Sequence, residues 1–184
     1  NTFGVVRPTM TGGIKLSKSG WHHLSYTQRE EIGDENIAKE NLRSKQDDYA
    51  LSDTRMMQHV LELGDQVTNS IQTVFPTMVL QQILNAIAVR QLIPKGVHES
   101  ELIWTILGFE DDDADMDELR LQVNNLVGPA GFISMEDGCV GGFIQTAAKA
   151  NGDAQTILPM GGRKIEPSVG SRVTESAVRG FWKG

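Results

Sequence analysis

A mixed α+β fold with a strand meander and several helices is predicted by three features of this 184-residue chain. Met78 to Gln82, Ile83 to Ile93 and Glu101 to Phe109 are rich in β-forming residues, with Pro94-Lys95-Gly96 as turn chemistry between the last two. Met116, Leu119, Val123 and Leu126 recur at helical spacing. At 39% hydrophobic and 22% charged, the composition is that of an ordinary globular domain, and the length fits one such domain or most of one.

Taken in order, Val5 to Leu16 and Trp21 to Gln28 are joined by Ser17-Lys18-Ser19-Gly20 and read as a β-hairpin. His22 and His23 are successive strand residues that point to opposite faces, so they cannot chelate one ion together. Arg29 to Asp48 is highly charged and poor in large apolar residues, an exposed helix or excursion. Leu51-Ser52-Asp53 can cap a helix carrying Met56, Val60 and Leu63 as far as Gly64, with His59 beside that stripe. Val67, Ile71 and Val74 keep helical spacing, whereas the alternation of Val67, Asn69, Ile71 and Thr73 suits a strand. Leu102, Trp104 and Ile106 alternate with Ile103, Thr105 and Leu107, which predicts a strand covered on both faces. Glu110 to Glu118 is not a calcium loop: counted from Asp111, positions six and twelve hold Met116 and Gln122 instead of Gly and Glu. Its acids suit the first turn of a helix from about Met116 to Val127. Asn151 to Arg172 reads as a long loop, after which Thr174 caps a last helix with Glu175 in its first turn. That helix is cut off at Gly184, so truncation is expected.

The stretch richest in chemistry is Gly128-Pro129-Ala130-Gly131-Phe132-Ile133-Ser134-Met135-Glu136-Asp137-Gly138. Ser134 is a good N-cap, and Met135 to about Ala150 can run helical. Asp137 then shares a face with Ile133, Val140, Ile144 and Ala148, a carboxylate within an apolar stripe, and a buried carboxylate needs a partner. Two partners fit. Asp137 can close a capping box on Ser134, or it can ligate a metal. Gly138, Gly141 and Gly142 weaken the helix, which is easier to understand where something approaches the backbone closely.

Asn125-Leu126-Val127-Gly128-Pro129-Ala130-Gly131-Phe132-Ile133-Ser134-Met135-Glu136-Asp137-Gly138 resembles the segment that carries the iron-binding aspartate in the large (alpha) subunits of Rieske non-heme iron ring-hydroxylating oxygenases. Val74-Phe75-Pro76, Ala88-Val89-Arg90-Gln91 with Pro94-Lys95-Gly96, Glu101-Leu102-Ile103-Trp104-Thr105 and Glu175-Ser176-Ala177-Val178-Arg179-Gly180-Phe181-Trp182 follow in family order, so the likeness covers nearly the whole chain. Its flavour is nearest the branch acting on salicylate, anthranilate and related aromatic acids. The resemblance implies a helix-grip architecture, an antiparallel curved sheet with helices packed on one side, and favours helix over strand for 67–74. It implies a mononuclear Fe(II) held by two histidines and one aspartate. Asp137 falls on that aspartate and Glu136 on its acidic neighbour, in at most a supporting role, while Val127, Ile133 and Asn69 fall on positions lining the substrate pocket. The family's Asp-x-x-His-x(4 or 5)-His segment is absent, and lone Cys139 cannot build a Rieske [2Fe-2S] centre. Because the chain begins at Asn1, both are expected upstream, and residues 1–184 are expected to be the C-terminal part of the catalytic domain.

The function so implied is hydroxylation of an aromatic ring with dioxygen, driven by electrons from NAD(P)H through the [2Fe-2S] cluster, with this stretch alone inactive. Implied partners are a beta subunit in an α3β3 assembly, a ferredoxin or reductase, and an aromatic substrate. The rivals are a non-enzymatic domain of the same architecture holding a hydrophobic molecule, and a structural scaffold for assembly. A net charge of -7 leaves no basic face for nucleic acid and no attraction to an anionic membrane, and no apolar run is long enough to span a bilayer. A single cysteine is compatible with a reducing cytoplasm.

Overall fold

A computed structural model describes residues 10–29, 53–150, 155, 162–170 and 174–184. The charged stretch Arg29 to Asp48 lies outside the described residues except at its first position, and so do the start of the first strand expectation and most of 151–161. Among the described residues, seven strands form one open antiparallel sheet: β1 (Met10–Leu16), β2 (His23–Arg29), β3 (Val67–Val74), β4 (Met78–Ile83), β5 (Ala86–Pro94), β6 (Ser100–Leu107) and β7 (Ser168–Val169), in spatial order β6-β5-β4-β3-β2-β1-β7. The helices α1 (Ala114–Val127), α2 (Phe132–Ala150) and α3 (Ser176–Lys183) make the described fold α+β, with the long helices on one side of the sheet. No helix among the described residues is long and apolar enough to cross a membrane.

The predicted hairpin is β1–β2, closed at Leu16↔His23 with Ser17-Lys18-Ser19-Gly20 in the turn. Residues 67–74 are a strand, not the helix favoured by resemblance: β3 pairs with β2 on one side and β4 on the other, and five of its eight residues are β-branched. Two-sided pairing satisfies the backbone as fully as a helix would, so β-branching and the neighbouring strands decide for the extended form. The expected helix over Met56 to Leu63 is a single 3-10 turn, Thr54–Met57, which Asp53 caps by accepting from the Arg55 N–H at 3.0 Å. Beyond it Val60 gives its backbone to the Asn85 side chain, accepting from Nδ2 at 3.0 Å and donating to Oδ1 at 2.9 Å, so a tertiary contact replaces the helical ladder. Strand β6 is the sheet edge, and Leu102, Ile103, Ile106 and Leu107 are exposed on both its faces; the expected double cover is not present among the described residues.

Helix α1 supplies most of the core. Val123, Leu126 and Val127 pack with Ile83 and Ala86, flanked by Met56, Ile71, Leu84, Leu119 and Ile133. Each large aliphatic side chain so buried stabilises by about 1.5–3 kcal/mol. Register places Asn69, Ile83 and Ala86 in one row across β3–β5, and Thr73, Val79, Arg90 and Trp104 in another across β3–β6, all on this helix-bearing face. At the other end, Trp21, Phe75, Phe181 and Trp182 form a chain of rings with centroids 5.4–5.8 Å apart that docks α3. Gly180 permits that docking, since a Cβ there would collide with the Gly20 carbonyl.

Candidate functional site

The turn between α1 and α2 aims the site. Gly131 N–H donates to the Gly128 carbonyl at 2.9 Å, and a Cβ on Gly131 would stand 2.6 Å from the Leu126 carbonyl, so only glycine fits this approach. Helix α2 therefore starts at Phe132, earlier than expected. Ser134 is not its cap: it lies within the first turn, and its hydroxyl donates to the Val127 carbonyl at 3.2 Å, fastening α2 to the end of α1. Among the described residues no hydrogen bond joins Ser134 to Asp137, so the capping box is not formed.

Val127 is 2% exposed and Ile133 packs against the same buried cluster. Asn69, 7% exposed, is the cross-strand partner of Ile83, another member of that cluster, so the three predicted pocket residues lie around one region. Asp137 follows Ile133 by one helical turn on the same face of α2. The expectation that Asp137 is buried in an apolar stripe is not met: Glu136, Asp137, Val140 and Ile144 are all exposed. Past its first turn α2 has little packed against it among the described residues, and Phe143 is 74% exposed. Nor does anything there approach Gly138, Gly141 or Gly142.

The sheet surface opposite α2 carries unsatisfied polar groups. His23 Nδ1, Thr27 Oγ1, Asn69 Oδ1 and Arg90 Nε are enclosed and find no hydrogen-bond partner among the described residues, and all four belong to the helix-bearing face by register. Thr27 and Asn69 are neighbours in one row; His23 and Arg90 share the other, separated by Thr73 and Val79. Such orphans are uncommon in native interiors and mark places where a ligand, water or further chain belongs. Burial lowers the His23 pKa and so favours the neutral ring. His22, by contrast, is committed structurally, its Nδ1 accepting from the Phe75 N–H at 3.1 Å. The Arg90 guanidinium stands 5.0 Å from the Trp104 ring centroid. Burial lowers its pKa, opposed by the charge of Asp137, so the two groups are within electrostatic reach, although no ion pair joins them.

Arg90 escaped the reading of residues as a site candidate. Its signal was present: in Ala86-Ile87-Ala88-Val89-Arg90 the alternation puts a cation on the face of two small buried alanines. Asp137 is a single donor, for among the described residues no three His, Cys, Asp or Glu side chains come together to hold a metal. An iron at Asp137 would need further ligands from outside the described residues. A shallow cleft lined by Arg163, Lys164, Pro167, Ser176 and Arg179 lies beside α3 and β7, at the opposite edge of the sheet from Trp104.

No family model matches the chain. Curated relatives do, and they are large oxygenase subunits. The chain is 45% identical over 183 residues to the terephthalate 1,2-dioxygenase terminal oxygenase component subunit alpha 2 of Comamonas sp, covering 99% of this chain and 44% of that protein. It is 35% identical over 189 residues to the anthranilate 1,2-dioxygenase large subunit of Burkholderia cepacia, covering 100% of this chain and 44% of the relative. To the salicylate 5-hydroxylase large oxygenase component of Ralstonia sp it is 30% identical over 183 residues, covering 99% of this chain and 43% of the relative. The homologues of this chain are thus large (alpha) oxygenase subunits of aromatic ring-hydroxylating enzymes, each matched over nearly the whole of residues 1–184. It spans less than half the length of the relatives it matches.

Proposed function

We propose that residues 1–184 are the C-terminal part of the catalytic domain of an oxygenase that hydroxylates an aromatic acid. The observation that carries this reading is the placement of Asp137: a carboxylate one turn beyond Ile133, in no ion pair among the described residues, above a sheet face that holds orphaned polar atoms. In this proposal Asp137 is the anionic ligand of a mononuclear Fe(II) whose two histidines come from outside the described residues. The iron supplies activation of dioxygen. Val127 and Ile133 exclude water from the ring's apolar edge, Asn69 offers a polar atom to a ring substituent, and Glu136 supports the helix turn that presents Asp137. The names of the relatives, a terephthalate, an anthranilate and a salicylate oxygenase, support an aromatic carboxylate as substrate. Electrons reach the site from NAD(P)H through a ferredoxin or reductase and a [2Fe-2S] Rieske cluster, within an α3β3 assembly that includes a beta subunit, in the cytoplasm. The exposed apolar side chains of α2, Phe132, Met135 and Phe143 among them, support a further part of the subunit covering this helix.

The test is iron content of the complete gene product, wild type against Asp137→Ala, with [2Fe-2S] counted separately from the visible spectrum. Loss of the mononuclear iron alone is expected. Unchanged iron would remove Asp137 from the ligand set and favour a domain that holds a hydrophobic molecule without redox chemistry.

A further inference from the structure

We infer that the exposed corner where α3 meets the β1–β2 turn is a docking surface for an acidic protein, the one that supplies this oxygenase with electrons. The inference rests on the oxygenase reading and adds the place where that partner binds. Three observations carry it. The first is a division of charge. The described residues 10–28, 162–170 and 174–184, which hold β1, most of β2, β7 and α3, carry six Lys or Arg against Glu166 and Glu175, whereas residues 53–150 carry five Lys or Arg against fourteen Asp or Glu. A chain of net charge -7 thus keeps one cationic corner, at the opposite edge of the sheet from β6.

The second is convergence. Gly180 of α3 packs on the Gly20 carbonyl, and Ile165 stands within contact range of a Cβ on either glycine. Arg179 Nε–H donates to the Lys164 carbonyl at 2.7 Å. The turn bearing Lys18, the stretch bearing Arg163 and Lys164, and the helix bearing Lys183 therefore meet at one place. The third is an apolar centre: Trp182 is 75% exposed, and Trp21 and Val178 are exposed beside it, Val178 one turn earlier on the same face of α3. An aromatic centre with a charged rim is the anatomy of a contact that forms and parts, since rim charges speed encounter. A permanent subunit contact buries a larger and more apolar surface. Lys164 meets Glu166 at 3.6 Å, but with side chains 82% and 64% exposed that pair is weak and leaves the corner cationic. A second copy is the poorer occupant, because Asp112 and Asp113 at the acidic start of α1 are already engaged by Arg120 and by the Met116 N–H.

Calorimetric binding of the complete oxygenase component to the ferredoxin or reductase that reduces it, at several salt concentrations and without turnover, tests this. Wild-type affinity should fall as salt rises. Lys18→Glu combined with Lys183→Glu should weaken binding about 10- to 100-fold at low salt and flatten the salt dependence, whereas Trp182→Ala should weaken it about 10-fold at every salt. Content of [2Fe-2S] and affinity for aromatic acids should stay at wild-type values in both variants. Unchanged affinity in the charge variant, or a loss equal at low and high salt, would overturn the inference. So would a change in the component's own oligomeric state in sedimentation, which would assign the corner to a second copy. Should the charge reversal not fold, Lys18→Gln with Lys183→Gln decides: a reduced salt slope supports the docking surface, an unchanged one overturns it. A wild-type component that holds no [2Fe-2S] overturns the oxygenase reading itself, and the inference with it.

Discussion

Arg120 uses all five of its N–H donors: Nε and Nη2 on Asp112 at 2.7 and 2.8 Å, Nη1 and Nη2 on Glu62 at 3.0 and 2.6 Å, and Nη1 on the Asn85 carbonyl at 2.7 Å. Asn85, 0% exposed, also donates to Glu62 Oε1 at 3.0 Å, so one knot ties 58–62, the β4–β5 turn and α1. Arg120→Met leaves two nearly buried carboxylates facing each other. It should cost about 3 kcal/mol in denaturant unfolding, the low end for a broken buried pair, because water reaches part of Glu62. The hydrogen bonds from Arg120 hold the Asp112 pKa below its ordinary 3.8. A carboxyl lowered on folding contributes stability that is full above the ordinary value and lost as pH falls through the folded one. Stability of the wild type should therefore decline below about pH 4, and Arg120→Met should flatten that limb. The sequence placed Asp112 only within an acidic run suited to a helix start. It could not assign the cation, because Glu62 and Asn85 reach Arg120 through tertiary contacts that no local spacing encodes.

At the scale of elements, α1 and α2 were readable from period and acid placement, and the hairpin from its turn residues. Strand β3 was not, because Val67, Ile71 and Val74 satisfy a helical period by coincidence while β-branching and two neighbouring strands decide the matter. The site divided in the same way. The candidate residues Val127, Ile133 and Asp137 lie near one another in sequence, at the end of α1 and the start of α2, whereas Arg90 belongs to another element and is linked to them only through the sheet register. What holds the two halves at their spacing is the turn at Gly131. Gly131→Val would press a side chain into the Leu126 carbonyl and force α2 to leave α1 at a different angle. It should cost about 1–3 kcal/mol and lower the mononuclear iron content of the complete protein even though Asp137 is intact. Normal iron with lowered stability would separate the turn from the site.

Across the described residues of the molecule, β1 to β6 pair each with a neighbour in sequence, whereas β7 departs, returning to β1 at Gly13↔Val169 and Ile14↔Ser168. The difference has a counterpart in time. Apart from the long step between Arg29 and Val67, neighbouring strands close short loops, whereas β7 must bring distant parts of the chain together for two residue pairs, an entropic cost that falls late in assembly. Amide hydrogen exchange should accordingly be slowest in β3–β5, flanked on both sides and covered by α1, and fastest at β7. Equal protection throughout would mean one cooperative unit. If β7 does open first, the seam between β1 and the β7–α3 segment is the sheet's hinge, able to part while the surface bearing Arg90 and Asn69 stays closed.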